Sequence, residues 1–137
     1  MFKSKITGLG FYVPENIVSN DDLSKLMETS DDWISERTGI KNRRWVGDKK
    51  LTTSLMGTYA AEKAIAAAGI DKNDIDFIIF STLSPDYYFP GSGVLLQRNL
   101  GIKEIGALDV RNQCSGFIYG LSICLLYTSP SPRDPKI

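Results

Sequence analysis

The chain has 137 residues and a mass of 15.2 kDa, enough for one compact domain with a core of its own. Hydrophobic residues make up 42% and charged ones 23%, and 16 Lys+Arg balance 16 Asp+Glu, so the basic excess that drives nucleic-acid binding is missing. No histidine is present, which excludes a complete imidazole-dependent triad, proton shuttle or metal site within these residues.

In chain order, Lys5 to Val13 reads as a short strand interrupted by Gly8 and Gly10 and stopped at Pro14. Ser19-Asn20-Asp21-Asp22 opens a helix, with a capping side chain, acidic residues in the first turn, and Leu23, Leu26 and Met27 on one face. Ser30-Asp31-Asp32 repeats the device for a short helix through Arg37 that Gly39 can end. Lys41 to Lys50 is polar and basic, the pattern of an exposed loop. From Thr52 to Ala68 the apolar positions Leu55, Met56, Tyr59, Ala60 and Ala64 recur at helical spacing, and Gly69 stops the run. Asp76 to Thr82 is a continuous apolar stretch, as in a strand buried on both faces. Pro85 to Ser92 reads as a loop and Gly93 to Asn99 as a helix. Ile105 to Val110 is a second buried strand, and Ser115 to Leu125 a second apolar helix. Alternating strands and helices predict an α/β layered fold with a mostly parallel, helix-covered sheet and right-handed crossovers.

In such sheets chemistry collects where strands deliver their carboxyl ends into helix-opening loops. Here those ends are Ser81-Thr82 and Arg111-Asn112-Gln113-Cys114. A thiol ahead of a helix faces unpaired N–H groups and the positive end of the helix dipole, which favour thiolate. The same N–H groups can hold the oxyanion formed when a thioester carbonyl is attacked. On position alone, a small buried apolar residue is the commoner role for a lone cysteine. Cys114 and Cys124 have the spacing of neither a disulfide framework nor a zinc knuckle. Trp33 and Arg37, four apart on one helix, share a face and could clamp a flat heteroaromatic ring, although an arginine packed over a half-exposed tryptophan is commoner. Lys41, Arg43 and Arg44 could neutralise phosphates or belong to a solvated basic loop. Gly8-x-Gly10 lacks the third glycine of a dinucleotide fingerprint, which argues against a nicotinamide site. No apolar stretch approaches the ~20 residues of a membrane span, and no secretory leader is visible, so a soluble cytoplasmic protein is expected.

Four segments together resemble the amino-terminal part of the β-ketoacyl-acyl-carrier-protein synthase III family, in the thiolase-like condensing-enzyme superfamily. They are Gly8-Leu9-Gly10-Phe11-Tyr12-Val13-Pro14; Trp33-Ile34-x-x-Arg37-Thr38-Gly39-Ile40-x-x-Arg43; Phe89-Pro90; and Asp109-Val110-x-Asn112-x-Cys114-Ser115-Gly116-Phe117. The resemblance runs from about residue 3 to Ile123. It implies a thiolase-like fold and an acyltransferase in which Cys114 accepts the acyl group. It further implies that Trp33 and Arg37 sandwich the adenine of coenzyme A with Thr29 nearby. Thr82 would stand by the active-site entrance, and Phe89 would reach into the acyl pocket of a partner subunit. Family members are homodimers that condense an acyl group from acyl-CoA with malonyl-acyl-carrier-protein, releasing carbon dioxide at the start of fatty-acid synthesis. Coenzyme A enters as a substrate thioester; no metal or other cofactor is expected.

Two features depart from that pattern. The family's decarboxylation step uses a His and an Asn from its carboxyl-terminal half, which this chain lacks, so residues 1–123 read as a truncated condensing domain inactive alone. Residues 124–137 carry three prolines in six residues and read as a non-family tail, disordered or artefactual. Two other functions stay open: a different acyl-CoA condensing enzyme of the superfamily, or a non-catalytic α/β fragment kept for ligand binding or dimer contacts.

Overall fold

Side-chain caps set where the helices that start at Asn20, Asp31 and Thr53 begin. The computed structural model describes residues 4–47 and 50–128, the side chain of Thr128 excepted. The chain divides into two compact units, Tyr12–Leu51 on one hand and Met1–Phe11 with Thr52–Ile137 on the other.

The first unit holds β1 (Asn16–Ser19), α1 (Asn20–Ser24), α2 (Asp31–Thr38) and β2 (Asn42–Trp45). Ser19 and Asp22 form a reciprocal capping box on α1: the Ser19 hydroxyl accepts from the Asp22 N–H at 3.1 Å, and the Asp22 carboxylate accepts from the Ser19 N–H at 3.0 Å. Ser30 caps α2 by accepting from the Trp33 N–H, and Gly39 ends it in the left-handed region at φ 71°. The exposed loop expected over 41–50 is corrected in part, because Asn42–Trp45 is a strand. It runs antiparallel to β1, with Asn16 opposite Trp45 and Ser19 opposite Asn42. The physical reason lies in how the two arginines are used. Arg43 is half-buried and donates to the Val18 carbonyl and to Asn20 Oδ1, while Arg44 donates to the carbonyls of Pro14 and Glu15. Cations that satisfy backbone carbonyls pin a strand in place, and composition alone does not reveal it.

The second unit holds α3 (Thr53–Ala68), a 3₁₀ turn (Lys72–Asp74), β3 (Phe77–Ser81), α4 (Ser92–Leu100), β4 (Gly106–Val110) and α5 (Gly116–Thr128). β3 and β4 are parallel, with Phe77 opposite Gly106 and Ser81 opposite Val110. Successive side chains alternate between faces, as strand geometry requires. On one face Ile78 packs with Leu96 and Leu100 of α4 in the buried cluster, and Phe80 lies against Gly57 of α3. On the other, Ile79 and Ser81 meet Gly120 of α5, and the Phe77 ring lies 4.5 Å from that of Tyr127. Helices thus cover both faces of a parallel sheet, the layered α/β architecture that the alternating pattern predicts.

Two expectations fail here. Residues 4–14 form no strand: Gly8 and Gly10 lie against the backbone of α3, where an added Cβ would run into the carbonyl oxygens of Ala64 and Ala60. A strand exists only with a ladder partner, and this backbone is committed to a helix instead. The strands expected to be buried on both faces are mostly half-buried, and Leu108 is 39% exposed. Among the described residues each sheet has two strands, so both strands are edges. The last helix runs through Leu125, Leu126 and Tyr127 to Thr128, into the segment read as a tail; residues 129–137 of that segment lie outside the described residues.

Candidate functional site

β3 and β4 end side by side. Past Ser81 the ladder continues for one more bond, the Thr82 N–H donating to the Val110 carbonyl at 3.1 Å. The chain then leaves β4 through Arg111, Asn112 and Gln113 to Cys114, which stands two residues ahead of α5. The turn is locally ordered. Asn112 Oδ1 accepts from the Gln113 N–H at 2.8 Å, and the Gly116 N–H donates to the Gln113 carbonyl at 3.0 Å. Ser81 Oγ donates to the Gly116 carbonyl at 3.0 Å, tying the end of β3 to the start of α5. Within this arrangement Cys114 is an exposed free thiol, not the small buried residue that position alone favoured. The Gly116 N–H is taken by the Gln113 carbonyl and the Tyr119 N–H by the Ser115 carbonyl, so it is the amides of Phe117 and Ile118 in the first turn of α5 that suit an anion or a developing oxyanion.

A cleft of about 720 Å³ opens beside this turn. Gln113, Gly116 and Gly120, Ile79 and Ser81, and Ala60 of α3 are among the residues that line it. The glycines keep it open, because a Cβ at Gly120 would stand 3.1 Å from Ser81 Oγ and 3.4 Å from Ile79. Its mostly apolar lining suits an acyl chain better than a charged group.

Thr82 is half-buried at the end of β3, and its Oγ1 accepts from the Ser84 N–H at 3.2 Å. Phe89 sits on the loop between β3 and α4 and is 89% exposed. Thr82, Phe89 and Cys114 therefore all lie on the connections that leave the carboxyl ends of the parallel strands.

The other three predicted residues belong to the Tyr12–Leu51 unit. Met27, Glu28, Thr29, Ser30 and Trp33 line a shallow pocket of about 530 Å³. The Arg37 guanidinium carbon lies 4.5 Å from the centre of the Trp33 ring, and Nη1 donates to the Trp33 carbonyl at 3.3 Å. A third ring inserted between them would need roughly twice the ordinary 3.5–4 Å contact distance. In this state Arg37 covers one face of Trp33, and an adenine sandwich requires the guanidinium to swing away. Of the cations considered for phosphates, Arg43 and Arg44 each donate to carbonyls of their own unit, while Lys41 and Arg44 are exposed.

Sequence reading gave no role to Asp109 or to the glycines facing it. The Asp109 carboxylate accepts from the N–H groups of Ser92 and Gly93, at 2.6 and 2.8 Å, at the start of α4. A signal was present in Gly91-Ser92-Gly93, whose small residues admit a carboxylate to a helix start. Among the described residues no three His, Cys, Asp or Glu side chains gather as a metal would need, and no helix is long and apolar enough to cross a membrane.

Comparison with known proteins gives one consistent answer. The chain is 53% identical over 125 residues to the β-ketoacyl-[acyl-carrier-protein] synthase III of Chlamydia pneumoniae, covering 91% of this chain and 37% of that protein. A synthase III from Vibrio vulnificus is 53% identical over 120 residues, covering 88% of this chain and 38% of its own. Among solved structures, the 3-oxoacyl-[acyl-carrier-protein] synthase III of Aquifex aeolicus superposes with a TM-score of 0.85 at 43% identity, covering 90% of this chain and 39% of that one. The priming β-ketosynthase of the R1128 polyketide pathway superposes at 0.81 with 33% identity, covering 87% of this chain and 35% of that one. No family model matches the chain. The chain spans well under half the length of the curated relatives it matches.

Proposed function

Since the chain belongs to the β-ketoacyl-[acyl-carrier-protein] synthase III family, we propose that it carries the acyl-accepting half of a decarboxylative condensing enzyme that initiates fatty-acid synthesis. The observation that carries this reading is an exposed thiol in the turn from a parallel strand to a helix, a turn whose Gln113 and Gly116 line an apolar cleft.

The Cys114 thiolate attacks the thioester carbonyl of an acyl-CoA. A bond forms between Sγ and the acyl carbon, and the negative charge passes to the carbonyl oxygen, where first-turn amides of α5 can meet it. Collapse breaks the bond to the coenzyme A sulfur, which leaves as thiolate and takes up a proton. Trp33, Arg37 and Thr29 hold the adenine end, Thr82 flanks the approach, and Phe89 lines the acyl site of a second subunit in a cytoplasmic homodimer. In the second half-reaction, malonyl-acyl-carrier-protein loses carbon dioxide, and the resulting carbanion attacks the acyl-cysteine, releasing the Cys114 thiolate and a 3-oxoacyl product. With no histidine, this chain supplies no imidazole to that step. Acylation is therefore its share of the chemistry.

Mass spectrometry after incubation with acetyl-CoA tests the reading. An intact synthase carrying these segments gains an acetyl group at Cys114, and Cys114→Ser abolishes it. The 137-residue chain acylates slowly at best and yields no ketoacyl product when malonyl-acyl-carrier-protein is added. Label at another residue, or ketoacyl product from this chain, overturns the assignment. The likeness to a polyketide priming synthase supports a second reading with the same acyl-cysteine and a different primer, which a panel of acyl-CoA chain lengths would separate.

A further inference from the structure

The loop between β3 and α4 exposes three aromatic side chains in succession, Tyr87, Tyr88 and Phe89, at 62%, 87% and 89%. Such a run on a slack loop would collapse onto apolar surface or be tolerated as disorder. This one is held at both ends. At its far end the Asp109 carboxylate takes the Ser92 and Gly93 N–H groups, capping α4 from a neighbouring strand where the N-cap residue, Gly91, has no side chain to offer. The fit is close: a Cβ at Gly93 would stand 2.7 Å from Asp109 Oδ1, and one at Gly91 would overlap the carboxyl group itself. At its middle, Arg111 Nη2 donates to the Tyr88 carbonyl at 2.7 Å, and the guanidinium carbon lies 4.6 Å above the Tyr88 ring. At its near end Asp86 accepts from the Ser54 N–H at the start of α3, at 3.0 Å, and its own N–H reaches Ser92 Oγ at 3.3 Å.

Asp109 and Arg111 lie five and three residues before Cys114 on one continuous stretch. That stretch therefore sets the position of the thiol and the position of the aromatic loop together. We propose that Asp109 and Arg111 are positioning residues that fasten the Tyr87–Phe89 loop to its own sheet, and so set how far Phe89 enters the second subunit's acyl site and the length of acyl chain accepted there. The proposal rests on the reading of Phe89 as a wall of the second subunit's acyl site. Releasing either tether lets the wall recede, and longer primers gain relative to acetyl.

The test uses an intact synthase carrying these segments and compares kcat/KM for butyryl-CoA with that for acetyl-CoA. Asn at position 109 keeps one acceptor but turns an NH₂ group toward the second N–H, and Met at 111 keeps bulk without a donor. Asp109→Asn and Arg111→Met raise the butyryl-to-acetyl ratio on the order of tenfold, the scale of a one-methylene misfit. Arg111→Lys restores most of the original ratio, and alkylation of Cys114 by iodoacetamide keeps its wild-type rate. A loss of folded enzyme lowers both substrates equally and leaves the ratio alone, so an unmoved ratio in the exposed Arg111→Met variant overturns the tether even if Asp109→Asn does not fold. A wild-type enzyme that acylates Cys114 but shows that unmoved ratio sinks this proposal only. One that never acylates Cys114 sinks the functional reading and the tether with it.

Discussion

In the Tyr12–Leu51 unit the most buried side chain is an amide. Asn20 is 1% exposed, its Nδ2 donates to Asp31 at 2.6 Å and to the Ile40 carbonyl at 2.8 Å, and its Oδ1 accepts from Arg43. In the other unit the buried cluster is Ile78, Leu96 and Leu100 between a helix and a sheet. A unit of some forty residues has too little apolar area to rely on burial alone, so directional bonds converge on one polar hub. The sheet unit is larger and layers aliphatic side chains in the ordinary way, although its most buried side chains are the hydroxyl-bearing Ser92, Ser54 and Thr58. The proposed ligand-binding residues follow the same division: the adenine clamp stands on a short polar helix, whereas the thiol hangs from the end of an apolar strand.

Four perturbations bear on this contrast, the largest first. Leu96→Ala in an intact synthase removes the centre of the aliphatic cluster and costs about 2–5 kcal/mol by chemical denaturation. Hydrogen exchange should quicken in β3, β4 and α4 and leave α2 unchanged; equal quickening in α2 would mean the two units do not stand on separate cores. Asn20→Ala is the converse experiment. It removes the bonds to Asp31, Arg43 and the Ile40 carbonyl and costs about 1–3 kcal/mol, toward the lower end because Asp31 keeps Ser35 and Arg43 keeps the Val18 carbonyl. Exchange should then quicken in β1, β2 and α2 while the sheet amides hold their protection.

Trp33→Ala should weaken acyl-CoA affinity by about 1–3 kcal/mol, by analogy with base–aromatic stacking, while a preloaded acyl-enzyme still condenses with carrier protein. Titration calorimetry with acetyl-CoA decides it, and unchanged affinity would make Trp33 a packing residue. The smallest effect is at Asp22. Its carboxyl is held well below the ordinary 3.8, first by the Ser19 hydroxyl and then by Lys25, whose own pKa is raised by the same contact. Because the folded value is depressed, the contribution is fully present above about 3.8 and is lost as pH falls below it. Amide exchange in α1 should therefore quicken in that acid range in the native protein, and Asp22→Asn should flatten the pH dependence.

Much of the sheet unit was legible in the sequence because its signals are local. Thr52 and Gly69 bracket α3, and the apolar run at 77–81 is a strand by pattern alone. The placement of Cys114 between strand and helix followed from the same reading. β2 was missed because Asn42-Arg43-Arg44-Trp45 has no apolar alternation; its strand character comes from pairing with β1 and from arginines bonded to Val18, Pro14 and Glu15, all distant in sequence. Gly8 and Gly10 failed in the opposite sense, since extended sequence pattern does not reveal whether the backbone meets a strand or a helix.

Local chemistry in the sequence thus determined the caps of α1, α2 and α3, the strand–helix alternation, the place of Cys114 past a strand end and the pairing of Trp33 with Arg37 on one turn. Only the tertiary structure decided that Arg37 already covers the Trp33 ring, that Arg43 and Arg44 donate to carbonyls distant in sequence, and that Asp109 caps a helix sixteen residues upstream. The reason is physical: capping and periodicity act over three or four residues, whereas the partner of a charged side chain is chosen by whichever unsatisfied backbone group the folded chain brings within hydrogen-bond reach.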